Sequence, residues 1–190
     1  MRAFKRLDGA ILPIARPNVD TDQIIPARFL QKPRSNNFGE YLFRDLRFDK
    51  HGTEMPAFML NQQAYRAAQV LVAQDNFGCG SSREHAVWAL CDYGIRAVVA
   101  PSFGDIFFTN ALKNGLLPIV LSAEIVQGLL DAAIASPGAR VAIDLEALTV
   151  AGPDGEAHRF NIDPRSRHCL LQGIDEIDYT LTQLDLIAAF

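Results

Sequence analysis

Residues 69–94 read QVLVAQDNFGCGSSREHAVWALCDYG. The apolar run Val70 to Ala73 has the length of a short buried strand, and the segment Asn76 to Ser82 carries two glycines in a loop. A helix is predicted from about Arg83 to Tyr93, ended by Gly94, a residue suited to the left-handed backbone that closes helices. Downstream the unit recurs. Ala97 to Pro101 reads as a β-branched strand, Ser102 or Asp105 as the cap of a helix running through Lys113, and Leu117 to Leu121 as a further strand. Strands alternating with helices predict a sheet that is at least partly parallel.

Ser122 is placed to cap an amphipathic helix to about Ala135, stopped by Pro137 and Gly138. The period then changes from helical to two-residue alternation through Val141, Ile143, Leu145, Leu148 and Val150. Pro153, Asp154 and Gly155 set a turn before Ala157 to Ile162, so this part reads as antiparallel strands. Asp163-Pro164 opens a last helical region that Gly173 divides. Upstream, Ala10 to Ile14 is a strand, followed by the polar stretch Asn18 to Asp22 and a turn or helix beginning at Gln23 that Pro26 breaks. From about 29 to 61 aromatics and charges mix without a period, which is the pattern of a mobile or partner-facing insertion outside the core layer.

The 190 residues suffice for one domain spanning 1–190, and 49% apolar with 21% charged residues is ordinary globular usage. A formal charge of −4 is the wrong sign for a chain that neutralises many phosphates, so nucleic acid is not the expected partner. The N-terminal basic cluster is followed by Asp8, Gly9, Pro13 and Arg16, which deny it the apolar core of a signal peptide. Apolar runs such as Leu116 to Leu121 fall far short of a membrane span. A cytoplasmic location is expected. Cys79, Cys91 and Cys169 are odd in number and widely spaced, so neither a disulfide framework nor a cysteine-held cluster is expected, and the four histidines show no metal-ligand spacing.

The chemistry concentrates in Gly78 to Ala86, GCGSSREHA. Glycines let a backbone approach a ligand, the first helical N–H groups lack partners, and the helix dipole places partial positive charge there. Arg83 adds a planar fork suited to a carboxylate or phosphate. An N-cap by Ser81 or Ser82 is the equally weighted structural alternative. The stretch is neither GxGxxG nor a Walker A loop, and G-x-S-x-G is absent, so nucleotide binding and serine hydrolysis are weak readings. With an arginine and helix N–H groups to stabilise an alkoxide, Ser81 can serve as a base, and lyase chemistry on a polycarboxylate fits.

GCGSSREHA resembles the catalytic loop of the swivelling domain of the aconitase superfamily. NVDTDQIIP at 18–26 and SFGDIFFTNALKNGLLPI at 102–119 resemble its other signature stretches. HCLLQGIDEIDYTL at 168–181, with FGEYLFRDLRF at 38–48, is similar to the small subunits of bacterial 3-isopropylmalate dehydratases. The resemblance runs in order through essentially the whole chain. It implies a three-layer β/β/α swivelling domain with a mixed sheet, and a hydro-lyase of leucine biosynthesis that interconverts 2- and 3-isopropylmalate by removing and re-adding water. It also implies a [4Fe-4S] cluster in a separate large subunit, none on this chain, and a small dicarboxylate substrate.

Position by position, the resemblance makes Ser81 the base, Arg83 a substrate carboxylate ligand and Ser82 a supporting donor. Thr21 and Asp22, with Asp20, match a motif near the pocket, where bracing of the loop stands beside substrate contact. Lys32 and Arg34 lie on the expected specificity loop 29–34, where a solvated basic loop is the alternative. His85 is expected as a hydrogen-bonding residue of the helix rather than a catalyst. Two rival readings remain open: a related hydro-lyase acting on homoaconitate or citraconate/methylmalate, and a non-catalytic partner module with the same fold.

Overall fold

The structure, a computed structural model, describes residues 1–34, 38–182 and 184. Strand β1 (Arg6–Ile14) organises it by pairing in two directions. Its second half, Ile11 to Ile14, runs parallel to β2 (Val70–Ala73), and its first half, Arg6 to Ala10, runs antiparallel to β5 (Arg140–Asp144). β3 (Ala97–Ala100) and β4 (Leu117–Val120) extend the parallel half, while β6 (Thr149–Ala151) and β7 (Ala157–Arg159) extend the antiparallel half. The strand order is β4-β3-β2-β1-β5-β6-β7, one mixed sheet with β1 at the hinge. The mixed sheet is as expected, and the two β layers are the two halves of one curled sheet. β1 starts four residues earlier than its apolar run because residues 6–10 are held by β5 rather than by burial.

The side chains explain the layering. β2 and β3 are buried on both faces and read as continuous apolar runs, as central parallel strands do. Successive residues point to opposite faces, so Leu12, Leu71 and Val98 enter one core while Ile11, Val70, Val72 and Val99 enter the other. The first core is closed by helix α3 (Glu84–Tyr93) and Phe107 of α4 (Asp105–Lys113). The second is closed by α5 (Ala123–Ala135), by Leu170 of α6 (Pro164–Gln172) and by Val141, Ile143 and Val150 of the antiparallel half. Ser122 caps α5 through its side chain, as the sequence predicts, and Asp163 caps α6 in the same way. Helix α7 spans Glu176–Leu181.

Segment 29–61 departs from expectation. Phe38, Leu42, Phe43 and Leu60 are wholly buried in the first core, so this stretch is a core layer rather than an insertion lying outside it. A turn at 27–29 and the four-residue helix α1 (Thr21–Ile24) lead into it, and its described residues form short turns at 38–41 and 59–61 and the four-residue helix α2 (Arg44–Arg47). Turns this short show no hydrophobic period, although the segment packs against α3 so closely that a Cβ on Gly39 would lie 2.5 Å from the Tyr93 nitrogen. Buried Arg47 donates to Asn61 Oδ1 at 3.1 Å, which lets its stem pass through the layer.

Tyr65 ties this layer to the other face of the sheet. Its hydroxyl, on a side chain 1% exposed, donates to Ala133 O at 2.9 Å, one of the last carbonyls of α5 that has no intrahelical donor. Tyr65→Phe therefore leaves a buried carbonyl unpaired and is expected to cost about 1–3 kcal/mol, read as a lower urea midpoint at unchanged m.

Candidate functional site

Loops leaving the carboxyl ends of β1, β2 and β3 continue to pair beyond the strands, and this draws three motifs together at one edge of the parallel half. This is the edge at which α/β sheets place ligands. Asn18 N–H donates to Asp75 O at 2.8 Å, Gly78 N–H to Val19 O at 2.7 Å and Thr21 N–H to Cys79 O at 2.9 Å. On the other side Phe77 N–H donates to Ser102 O at 3.1 Å and Gly104 N–H to Phe77 O at 2.9 Å. The glycine loop is thus clamped between the other two.

Two asparagines, not singled out in the sequence, make the clamp possible. Asn18 and Asn76 take positive φ, 54° and 60°, a region asparagine tolerates better than most residues. Asn76 Nδ2 donates to Asn18 Oδ1 at 2.8 Å, and Ser102 Oγ accepts from Asn76 N–H at 2.8 Å. Ser102 is therefore a loop brace and not a helix cap; Gly104 precedes α4 with no side-chain cap. Asparagine after each of two strand ends was the available signal.

Beyond the clamp the chain rises into α3. Ser81 and Ser82 are exposed, and the N-cap position is taken by Arg83 without a side-chain cap, so neither serine is spent on capping. Arg83 N–H folds back onto Ser81 O at 2.8 Å. Its guanidinium, 15% exposed, is ion-paired with the half-exposed Asp22 in the first turn of α1. Asp20 caps that helix: Gln23 N–H donates to Asp20 Oδ1 at 2.7 Å, and the Gln23 side chain returns to Asp20 N–H at 3.3 Å. Asp20 thus braces the loop, as one of its two readings had it.

The structure therefore assembles Ser81, Ser82, Arg83 and Asp22 at one rim, with Thr21 below them. Thr21 is 1% exposed, its hydroxyl 3.0 Å from Ser81 O, so it is no surface contact for substrate. Arg34 is not brought to this rim either. It pairs with Asp92 at 3.0 Å and lies over the Trp88 ring at 5.1 Å, and Asp92 is nine residues along from Arg83, about 13 Å down the helix axis. Lys32 is exposed in the turn after residues 27–29. His85 packs its ring against Trp88 at 4.5 Å, an aromatic contact in place of the expected hydrogen-bonding role. Asn114 Nδ2 donates to Glu84 Oε1 at 2.8 Å while accepting from Trp88 Nε1 at 3.0 Å, which turns the Glu84 carboxylate toward α4.

Among the described residues no three His, Cys, Asp or Glu side chains converge. Burial pushes the Cys91 thiol up to about 11 and raises that of Cys169, which disfavours the thiolates a cluster needs. Among the described residues no helix is long and apolar enough to cross a membrane.

Comparison with known proteins bears on this geometry. The aconitase C-terminal domain model matches residues 1–124, and a LeuD_N model matches 127–164. The 3-isopropylmalate dehydratase small subunit of Rhodospirillum centenum is 53% identical over 190 residues, covering 100% of this chain and 94% of that one. That of Jannaschia sp. is 52% identical over the same shares. The crystal structure of 3-isopropylmalate dehydratase from Methanocaldococcus jannaschii superposes with a TM-score of 0.69 at 27% identity, covering 97% of this chain and 98% of that one.

Proposed function

The chain belongs to the family of 3-isopropylmalate dehydratase small subunits, and on that premise we propose that its Ser81–Arg83 rim is the proton-transfer half of a shared active site. The function is the small-subunit part of a hydro-lyase that isomerises 2-isopropylmalate to 3-isopropylmalate through isopropylmaleate. Dehydration removes a proton from one carbon and the hydroxyl from its neighbour; rehydration returns them in exchanged positions.

The observation that carries the proposal is that Ser81 is exposed, is not used as a cap, and stands two residues before an arginine whose guanidinium is already held at the same rim. Ser81 Oγ takes the proton from the carbon next to a substrate carboxylate and gives it back in the second half-reaction. A serine alkoxide is costly near neutrality, and positive charge from Arg83 and from the N-terminus of α3 lowers that cost. Arg83 also presents its remaining N–H groups to a substrate carboxylate, while Asp22 holds the guanidinium in one orientation. Ser82 supports with a hydroxyl donor. Lys32, exposed on the loop the family resemblance makes the specificity loop, is the remaining candidate to read the substituent end of the substrate.

In this reading the rest of the pocket comes from the large subunit that a small subunit implies, with the [4Fe-4S] cluster expected there from the family resemblance. The test is to mix the purified chain with large subunit carrying its cluster and follow isopropylmaleate absorbance from 3-isopropylmalate, each subunit alone serving as control. Turnover confined to the mixture supports the shared site. Silence from a verified complex refutes the substrate and points to another polycarboxylate, and silence without a complex refutes the pairing.

Arg83→Lys keeps the charge but loses the planar fork. It is expected to raise KM about 10- to 100-fold with a smaller fall in kcat, since the bidentate carboxylate contact is lost in ground and transition states alike. Steady-state kinetics of the reconstituted complex separates the two.

A further inference from the structure

Thr21 is a hydroxyl-bearing side chain that is only 1% exposed. It lies against the glycine loop; Asp20 beside it caps α1, and its own N–H already bonds Cys79 O at 2.9 Å. The loop is therefore anchored at Cys79 without the Thr21 side chain. What the side chain adds is one hydrogen bond, Oγ1 to Ser81 O at 3.0 Å, across 60 residues of sequence. The same carbonyl accepts from Arg83 N–H at 2.8 Å.

Two donors on one carbonyl fix the peptide plane that follows Ser81, and with it the direction in which the Ser81 Cα–Cβ bond leaves the backbone. This matters because Gly80, immediately before, has φ 91° and no side chain to restrain it, and because Ser81 and Ser82 are exposed and held by little else on their solvent side. A displacement of about 1 Å at a reacting atom can cost 10²-fold in rate.

We propose that Thr21 is a positioning residue, whose hydroxyl aims Ser81 by holding its carbonyl oxygen. The inference rests on the reading of Ser81 as the base. Thr21→Val removes the hydroxyl and keeps the shape, and Thr21→Ser keeps the hydroxyl.

Both are assayed in the complex with the large subunit, using substrate carrying hydrogen or deuterium at the carbon that loses its proton. Thr21→Val is expected to lower kcat about 10- to 100-fold with KM within about 3-fold, and to raise the isotope effect, because a misaimed base makes proton removal slower than the other steps. Thr21→Ser is expected to recover the wild-type values to within about 3-fold. Thr21→Ala carries the same expectations as valine should the added methyl group not fit.

Unchanged kcat in Thr21→Val overturns the inference. So does a lower kcat with an unaltered isotope effect, which is the signature of a smaller fraction of folded enzyme. Ser81→Ala run alongside keeps the two readings apart. Full turnover in Ser81→Ala brings down the base reading and this inference with it; loss in Ser81→Ala beside full turnover in Thr21→Val overturns the positioning role alone.

Discussion

Ser81→Ala is expected to leave a folded chain that binds the large subunit normally and turns over about 10³- to 10⁴-fold more slowly, the range at the upper end of positioned general acid–base catalysis. The substitution is clean because of how Ser81 is held. Its structural contacts are made through its carbonyl oxygen, which accepts from Thr21 Oγ1 and Arg83 N–H, and an alanine keeps that oxygen. The side chain is exposed and caps no helix, so removing Oγ neither opens a cavity nor strips an N-cap. Stability should stay within about 0.5 kcal/mol, as for surface substitutions generally.

KM should move little, since the carboxylate contact belongs to Arg83. Ser82→Ala, exposed in the same way, is the internal comparison and should cost far less. The decisive measurement is kcat at saturating large subunit, with complex formation verified by titration. Near-normal turnover there would remove Ser81 from the chemistry.

How much of this was readable in advance depends on whether local pattern or tertiary contact decides each residue. Strand β2, the glycine loop and α3 were legible because burial on both faces gives an unbroken apolar run and a glycine at φ 115° closes the helix. The antiparallel half was legible from its alternation, which the structure repeats in the buried Val141 and Ile143. Segment 29–61 was not, since Phe38 and Phe43 enter the core from turns too short to have a period. Arg34 looked like a site residue because it follows the Asn18–Pro26 motif closely in sequence. Asp92 and Trp88 hold it elsewhere, and that pairing spans 58 residues. For the same reason the sequence placed Thr21 near the chemistry but not the direction of its hydroxyl.

Gly78→Ala should be the most damaging small change to the scaffold. Gly78 has φ 73°, which costs an L-residue about 1–2 kcal/mol, and a Cβ built on it would lie 2.3 Å from Cγ of Phe107. Phe107 is 2% exposed and packed edge-on against Phe77 at 5.3 Å, so it has little room to withdraw, and overpacking of this kind adds about 1–3 kcal/mol. A total near 2–5 kcal/mol lowers Tm by about 5–20 °C for a chain of this length. Activity should fall further than the folded fraction does, because Gly78 N–H bonds Val19 O and the strain is released by moving the loop that carries Ser81.

The source of the strain can be isolated with Phe107→Ala, itself expected to cost about 3–5 kcal/mol through the cavity it leaves. In the double variant the new methyl group enters that space, so the two costs should sum to at least about 1 kcal/mol less than their separate values. Simple additivity would mean that Phe107 does not set the loop's path and that the backbone conformation alone demands glycine. An unchanged Tm in Gly78→Ala would refute the close packing of α4 on the loop altogether, and with it the account of how the three strand ends hold Ser81 in place.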